Sequence, residues 1–393
     1  MLAPALLAFA ATASATPAPP DLNADASLLM ATRSGRVLAS EHPDKRYAPA
    51  SLAKLMTAYL SFRALDGGGI AVTDQVRIRE DTWRMSGAQM FLGVGETVSV
   101  DKLLQGLLVA GGNDAAQALA RHVAGSVSGF VRMMNRQADA LGMEHTRFAN
   151  PSGIRHADQY TTARDMATLA RALIRRFPSH YRRFRQQEIT HNGITQRNRN
   201  RLLAFFEGAD GLMTGYGRKA GYHLITSARR DRTRFLSVLL GAGSSEARFQ
   251  DAMAALDYGF RFYETIHPYG AGERIREVRV WKGESDQVAA GVSRDLFLTI
   301  PRNRRDALRF RPEIERPLSA PIRDGERLGR LHVDLNGHAL ARRPLVAQHG
   351  VAWGGWMRHV VDTVRLEWKR FWKRQRRKLL AHDEESTGNG PPG

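Results

Sequence analysis

Ser51 and Lys54 are the first residues of the sequence whose types and spacing could carry out covalent chemistry. The segment 51–69 keeps its apolar residues at helical spacing, so the two side chains share one face at the start of a predicted helix. A serine needs a base to become a nucleophile, and a lysine can serve only if burial or a nearby cation lowers its pKa. A chain of this length contains about one Ser-x-x-Lys by chance, so the pair alone predicts nucleophilic catalysis only weakly.

Two later stretches place this pair in a larger pattern. The sequence reads "YAPASLAKLMTAY" at 47–59, "LLVAGGNDAAQALA" at 107–120 and "DGLMTGYGRKAG" at 210–221. In order, spacing and flanks these stretches resemble the penicillin-binding D-alanyl-D-alanine carboxypeptidases, which belong to a class of serine acyltransferases marked by Ser-x-x-Lys, Ser-x-Asn and Lys-Thr-Gly. The resemblance runs from about residue 22 to the C-terminal helix. It includes four further segments: 130–154, 160–174, 198–203 and 237–248.

The resemblance implies a site, and the sequence departs from it at two positions. The family has serine at position 111 and lysine at position 213, where this chain has Gly111 and Met213. By resemblance, the catalytic positions are Ser51, Lys54, Gly111 and Asn113, and the oxyanion hole is formed by the backbone N–H groups of Ser51 and Tyr216. The positions implied for substrate binding are Met213, Thr214, Gly215, Arg199 and Arg248, with the two arginines near the terminal carboxylate.

The two departures leave the level of activity open. The missing serine and lysine are thought to act together in moving a proton to the leaving amine. Losing a positioned acid–base group lowers a rate by about two to four powers of ten, and two losses from one unit need not add. The resemblance implies a serine D-Ala-D-Ala carboxypeptidase that trims peptidoglycan stem peptides through an acyl-enzyme on Ser51 and reacts with β-lactams. The alternative is a catalytically silent relative that binds peptidoglycan or penicillin.

The periodicity of the sequence predicts the elements that position these residues. A hairpin is expected at 27–40, and helices at 51–69, 127–141 and 162–176. The segment 98–125 predicts two helices that break at Gly111-Gly112, with Asn113 or Asp114 capping the second. The segment 210–241 alternates like two paired strands. Short strands punctuated by glycine follow from about residue 270.

We therefore predict an α+β protein. A serine β-lactamase/transpeptidase-like domain at 22–268 would place helices on an antiparallel sheet, and a small β-sandwich would follow at 270–350. Residues 353–380 place tryptophans and valines on one helical stripe beside a basic face, which is typical of a helix lying on a membrane surface. The polar tail 381–393 is expected to be disordered.

Composition and the N-terminus indicate where such a protein would work. The 58 basic and 39 acidic side chains give a net charge of +19, which favours an anionic partner. Residues 1–15 resemble a signal peptide with Ala13-x-Ala15 as the cleavage site. These features and the resemblance predict a periplasmic protein attached peripherally to the outer face of the inner membrane, an anionic surface, through 353–380.

Other classes of function find little support in the sequence. No nucleic-acid motif appears, so we expect no nucleic-acid partner. The absence of cysteine excludes thiolate metal sites, and the histidines are scattered, so no metal or cofactor is predicted. A class A β-lactamase would need a glutamate for deacylation. Glu188 and Asn192 in "EITHN" lie too close to residue 213 and too far beyond residue 113 to fill that role.

Overall fold

The computed structural model describes residues 16–315, 317–356, 360, 362 and 363. The chain divides into two compact units, Met1–Ile266 with Leu298–Arg302, and His267–Phe297 with Asn303–Gly393. The expected signal peptide 1–15 and the tail 381–393 lie outside the described residues.

The first unit contains the α-helices that the structure gives for residues 54–262. They are α1 (Lys54–Asp66), α2 (Glu80–Trp83), α3 (Val100–Gln105), α4 (Asn113–Ala124), α5 (Val127–Leu141), α6 (Ala163–Arg176), α7 (Pro178–Tyr181), α8 (Leu202–Phe205) and α9 (Ser245–Phe262). Single turns of 3₁₀-helix occur at Ala50–Ala53, Arg182–Arg185 and Arg305–Ala307, and a π-helical turn spans Gly106–Ala110.

The strands alternate with these helices and then dominate the second unit. They are β1 (Ala26–Ala31), β2 (Val37–Glu41), β3 (Gln75–Arg77), β4 (Thr97–Ser99), β5 (Glu188–His191), β6 (Ile194–Arg197), β7 (Ala209–Gly217), β8 (Gly221–Arg230), β9 (Thr233–Ala242), β10 (Tyr263–Tyr269), β11 (Arg274–Trp281), β12 (Gln287–Gly291), β13 (Leu296–Pro301), β14 (Leu308–Ile314), β15 (Leu318–Ser319), β16 (Arg327–Leu335) and β17 (His338–Ala347).

A five-stranded antiparallel sheet in the order β2-β1-β9-β8-β7 forms the centre of the first unit. Alternate residues of its strands face opposite sides, as the period of a strand requires. Leu28 and Val238 join the core formed with α1 and the helices around it, whereas Leu29 and Leu239 join the core formed with α9. The sheet is therefore covered by helices on both faces, and the expected class of helices packed on an antiparallel sheet is confirmed.

The sequence expectation for 210–241 was wrong in strand number. The segment forms three strands, β7, β8 and β9. The second turn, at Asp231 and Arg232, is short, and Asp231 adopts a positive φ of 52°. Two residues of turn do not interrupt the run of alternating residues enough to be recognised, although aspartate is one of the residues that tolerate this backbone region.

The start of α4 also differs from the expectation. The helix breaks at Gly111-Gly112 as predicted, but Gly112 occupies the N-cap position and no side chain caps the helix. The carboxylate of Asp114 instead accepts hydrogen bonds from the backbone N–H groups of Met90 and Leu92, at 3.0 and 3.3 Å. Asp114 therefore ties the segment 90–92 to α4, and Asn113 is left for another role.

The second unit is rich in β-structure. Six strands form a sheet in the order β14-β16-β17-β12-β11-β15, in which only the neighbours β11 and β15 run parallel. Smaller two-stranded sheets elsewhere pair β3 with β4, β5 with β6, and β10 with β13. Most of the predicted helix 353–380 lies outside the described residues. Across the described part of the chain, no helix combines the length and apolar character needed to span a membrane.

Candidate active site

Ser51 and Lys54 lie where a tight turn leads into the most buried helix of the first unit. Ser51 belongs to the 3₁₀ turn Ala50–Ala53, and Lys54 is the first residue of α1. The Nζ atom of Lys54 donates to Ser51 Oγ at 3.1 Å and to the backbone carbonyl of Ser152 at 2.6 Å. Ala50, directly before the serine, adopts a φ of 47°, which is strained for a residue with a side chain. The turn therefore holds the hydroxyl against the amine in a fixed geometry.

Burial makes Lys54 a usable base. Its side chain is completely inaccessible to solvent. Its pKa falls from 10.5 to about 7, mainly because of burial and also because of the positive charge of Arg199, while the negative charge of Asp114 opposes the change. An amine with a pKa near 7 is about half neutral at neutral pH and can accept the proton of the serine hydroxyl.

The loop 150–155 closes one side of this pair. Gly153 has a φ of 83°, and a Cβ atom on it would come within 1.7 Å of the Ala50 carbonyl oxygen, so only glycine fits here. The side chain of Asn150 accepts from the Gly153 N–H at 2.7 Å and donates to the Ile154 carbonyl at 2.8 Å. The loop is therefore packed directly on the backbone of the turn that carries Ser51.

Gly111 and Asn113 form a second wall. Gly111 ends the π-helical turn with a φ of 68°, in the left-handed region. The Asn113 side chain is buried, and its Nδ2 atom donates to the Ser86 carbonyl at 2.6 Å. A Cβ atom built on Gly111 would meet the Arg199 side chain at an ordinary contact distance of 3.8 Å. The space beside Gly111 would therefore admit a small side chain, but the backbone there disfavours any residue other than glycine.

Strand β7 provides the third wall, with Met213, Thr214, Gly215 and Tyr216 in succession. Met213 and Thr214 are buried, whereas the Tyr216 ring is 56% exposed and packs against Tyr222 with 4.6 Å between ring centroids. An added Cβ atom on Gly215 would lie 3.3 Å from both His223 and Leu52. The lack of a side chain at 215 thus lets β7 lie close to the turn that carries Ser51.

Buried His223 links β8 to both of these elements. Its Nε2 atom lies 3.1 Å from the Ala48 carbonyl, and its Nδ1 atom accepts from the Gly241 N–H at 3.0 Å. Burial lowers its pKa to about 4. The neutral ring, with the proton on Nε2, therefore holds the segment before Ser51 in place.

Arg248 adds a buried positive charge beside β7. Its guanidinium donates to the carbonyls of Gly215 and His223, at 3.1 and 3.3 Å, and to Ser245 Oγ at 3.2 Å. Its Nε atom is buried and has no hydrogen-bond partner among the described residues. Burial lowers the pKa of Arg248 to about 10, and the charges of Arg199 and Arg201 contribute to that fall. An anion that reaches this guanidinium would form a favourable charge-assisted hydrogen bond with it.

Arg199 lies between the second and third walls. Its Nε atom donates to the Ala110 carbonyl at 2.9 Å, and its aliphatic part lies beside Gly111. Its side chain is exposed. Its charge therefore acts on both Lys54 and Arg248, whose pKa values it lowers.

These walls enclose one pocket of about 670 Å³. The predicted site residues that line it are Ser51, Gly111, Asn113, Arg199, Met213, Thr214, Gly215, Tyr216 and Arg248. Lys54 lies behind Ser51, in hydrogen-bond contact with it. Neither Glu188 nor Asn192 is among the lining residues, and both are exposed. The arrangement can support attack by a serine with lysine as its base, on a substrate that carries an anionic group.

Sequence reasoning assigned no role to several residues that shape the pocket. Ser152, Gly153 and Arg155 come from the loop 150–155, and Ser86 and Asn198 also line the pocket. The contribution of Ser152 to Lys54 is a backbone carbonyl, which no residue type reveals. The only indication in the sequence was the stretch "NPSGI" at 150–154, which resembles the family but does not show what its residues contribute to the pocket.

Two family profiles match the chain. The profile described as D-alanyl-D-alanine carboxypeptidase matches residues 12–244. The profile described as penicillin-binding protein 5, C-terminal domain, matches residues 263–352.

Individual proteins are similar over most of their length. D-alanyl-D-alanine carboxypeptidase DacC of Escherichia coli is 38% identical over 377 residues, which cover 93% of this chain and 94% of that protein. DacA of the same organism is 36% identical over 358 residues, covering 89% of each chain. The crystal structure of penicillin-binding protein 5 from Haemophilus influenzae superposes with a TM-score of 0.83 at 36% identity, covering 86% of this chain and 99% of that one.

Proposed function

Because the chain belongs to the D-alanyl-D-alanine carboxypeptidase family, we propose that it removes the terminal D-alanine from peptidoglycan stem peptides through an acyl-enzyme on Ser51. The observation that carries this proposal is the contact between Lys54 Nζ and Ser51 Oγ in a setting that lowers the pKa of Lys54 to about 7. A charged surface lysine could not accept the serine proton at neutral pH.

Acylation starts when neutral Lys54 takes the proton of the Ser51 hydroxyl. The oxygen attacks the carbonyl carbon of the penultimate D-alanine, and the negative charge that forms on the carbonyl oxygen is held by the N–H groups of Ser51 and Tyr216. The C–N bond then breaks, and the leaving amine takes up a proton. Water attacks the ester and loses a proton to Lys54, the bond between the acyl carbon and Ser51 Oγ breaks, and Lys54 returns the proton to that oxygen, so the shortened peptide leaves and Ser51 is restored.

The proton for the leaving amine is the step that the departures affect. Neither Gly111 nor Met213 has a group that could carry a proton. We assign this transfer to Lys54, which holds the serine proton after the first step and also contacts Ser51 Oγ. Asn113, whose amide is anchored on Ser86, positions the substrate backbone beside it. One group then performs tasks that two share in the family, and turnover is expected to be slow.

The terminal carboxylate of the substrate binds at the Arg248 side of the pocket. Arg248 is buried next to Gly215 and has a free Nε donor among the described residues. Thr214 adds a hydroxyl on the same strand, and Arg199 adds charge from the facing wall. Met213 replaces the lysine of the family here, so these arginines supply the positive charge that remains.

We also propose where the protein acts. Residues 1–15 direct export, residues 22–268 form the catalytic domain, and residues 270–350 form a separate β-rich domain. Residues 353–380 bind the anionic outer face of the inner membrane through their basic and aromatic residues. This proposal rests on the sequence of 353–380, because most of that segment lies outside the described residues.

Labelling with a fluorescent penicillin followed by mass spectrometry tests the proposal. The expected result is a slowly formed adduct of the protein at Ser51, absent from Ser51→Ala, together with release of D-alanine from a D-Ala-D-Ala peptide. An adduct of equal yield in Ser51→Ala would remove Ser51 as the nucleophile. A protein that forms neither adduct nor D-alanine would be a silent relative.

A further inference from the structure

The pocket carries more positive charge than one substrate carboxylate requires. Four arginines line it, and none of the described lining residues is acidic. A peptide that ends in D-Ala-D-Ala carries one carboxylate at that end, because both of its alanines have only methyl side chains. The excess of charge indicates that the ligand has a second anionic group.

Three of the four arginines already have partners. Arg248 is hydrogen-bonded to two backbone carbonyls, and Arg199 donates to the Ala110 carbonyl. Arg201 pairs with Glu246 at 3.3 Å and lies over the Phe249 ring. Arg155 is exposed and makes no ion pair, hydrogen bond or ring contact with any described residue. It is therefore free to receive a ligand.

The backbone beneath Arg155 is rigid. The carbonyl of the preceding residue, Ile154, accepts from the side chains of Asn150 at 2.8 Å and Gln159 at 3.3 Å. Two residues earlier, Gly153 packs on Ala50 beside the nucleophile. A side chain on a fixed backbone loses less freedom when it binds a ligand than one on a mobile loop.

Arg155 and Arg248 belong to different walls of the pocket. Arg248 is tied to β7, whereas Arg155 extends from the loop that contacts Ala50 and Lys54. With the terminal carboxylate at Arg248, a second carboxylate can come only from a residue that precedes D-Ala-D-Ala. We propose that Arg155 forms a subsite for a carboxylate carried by the residue immediately before D-Ala-D-Ala, so that the protein prefers acidic stem peptides. This inference rests on the proposed function.

Binding to the Ser51→Ala protein tests the subsite without turnover. Acetyl-Glu-D-Ala-D-Ala and acetyl-Gln-D-Ala-D-Ala are a matched pair of peptides that differ in one charge. In a second matched pair, the side chain before D-Ala-D-Ala is one methylene longer, so that its end group extends further from the peptide backbone. Isothermal titration of each should show tighter binding of the acidic peptide by about two- to fivefold, the range for an exposed charge pair. The preference should weaken as salt is added.

Variants locate the preference. When Arg155→Gln is added to the Ser51→Ala protein, the preference for the acidic peptide should disappear. Arg155→Lys should keep part of this preference, and Arg155→Glu should reverse it. Arg232→Gln removes the same charge from the exposed turn at the far end of β8, away from the pocket, and should leave the preference unchanged.

The proposal is overturned if the acidic and neutral peptides bind equally, if neither binds, or if the preference persists in Arg155→Gln. Penicillin labelling of the parent protein, which does not involve the residue before D-Ala-D-Ala, reports separately on the proposed function. A labelled protein without a preference for acidic peptides would leave the carboxypeptidase assignment standing and exclude the subsite alone.

Discussion

Replacing Lys54 with methionine should stabilise the protein at pH 6, and this gain should shrink as the pH rises. Lys54 is completely buried, and its pKa in the folded protein is about 7, against 10.5 for a free lysine. At pH 6 the folded protein must hold the ammonium away from water, whereas the unfolded chain exposes it. Methionine fills a similar volume and carries no charge.

The direction and size of this change in stability with pH follow from the linkage between protonation and folding. Below pH 7 the lysine is charged in both states, so the full penalty acts on folding. Above pH 10.5 it is neutral in both, and the penalty disappears. A fall from 10.5 to about 7, at about 1.4 kcal/mol for each pH unit, corresponds to about 5 kcal/mol. Between pH 6 and pH 9 the penalty falls by about 3 kcal/mol. The lost hydrogen bond to the Ser152 carbonyl removes about 1–3 kcal/mol at both pH values and does not affect this difference.

Urea unfolding measures how the difference in unfolding free energy between the parent protein and Lys54→Met depends on pH. Both proteins are unfolded at pH 6 and at pH 9, and unfolding is followed by circular dichroism. The free-energy difference between the two proteins should change by about 3 kcal/mol in favour of the parent as the pH rises. Lys219→Met, at an exposed lysine, controls for the loss of a charge. If the unfolding free energies of the parent and Lys54→Met change in parallel with pH, Lys54 is not held with a lowered pKa and cannot serve as the base by this route.

Four further predictions concern the pocket and the C-terminal segment. Arg199→Gln should raise the pKa of Lys54, because the charge of Arg199 lowers it. The rise of penicillin labelling with pH should then move above pH 7, and an unmoved profile would contradict this electrostatic role. Gly111→Ser should destabilise the fold by about 1–2 kcal/mol in urea unfolding, because its φ is 68°. Combined with Met213→Lys, it should release D-alanine faster than the product of the single effects, and strict additivity would show that the two positions do not act as one unit. A chain that ends at Val351 should lose the salt-sensitive binding to anionic vesicles shown by the full chain, and equal binding by both would exclude an anchor at 353–380.

The sequence predicted well those features that depend on local spacing. Ser51 and Lys54 were expected on one face, and their side chains are in hydrogen-bond contact. The break at Gly111-Gly112 was also found where glycines interrupt the helical pattern. The predicted residues that line the pocket come from five separated segments, around Ser51, Gly111, Arg199, Met213 and Arg248, and only the family resemblance brought them together before the structure did.

Features that depend on backbone groups could not be predicted. The loop 150–155 contributes the Ser152 carbonyl, which leaves no mark in residue type, and the close approach of Gly153, whose residue type does not show which segment it contacts. The cap of α4 was misassigned because Asp114 bonds to a segment more than twenty residues earlier in the chain. The strand count of 210–241 was wrong because a two-residue turn barely interrupts an alternating pattern.

Because the backbone at Gly111 is left-handed, replacing serine by glycine and replacing glycine by serine have opposite effects on backbone strain at this position. A change from serine to glycine at this φ relieves strain, whereas the reverse change restores it and places the new hydroxyl beside Arg199 without the lysine at 213. Selection on folding alone would therefore retain the glycine once it had appeared. Regaining the serine would require selection on the reaction itself, strong enough to outweigh this strain.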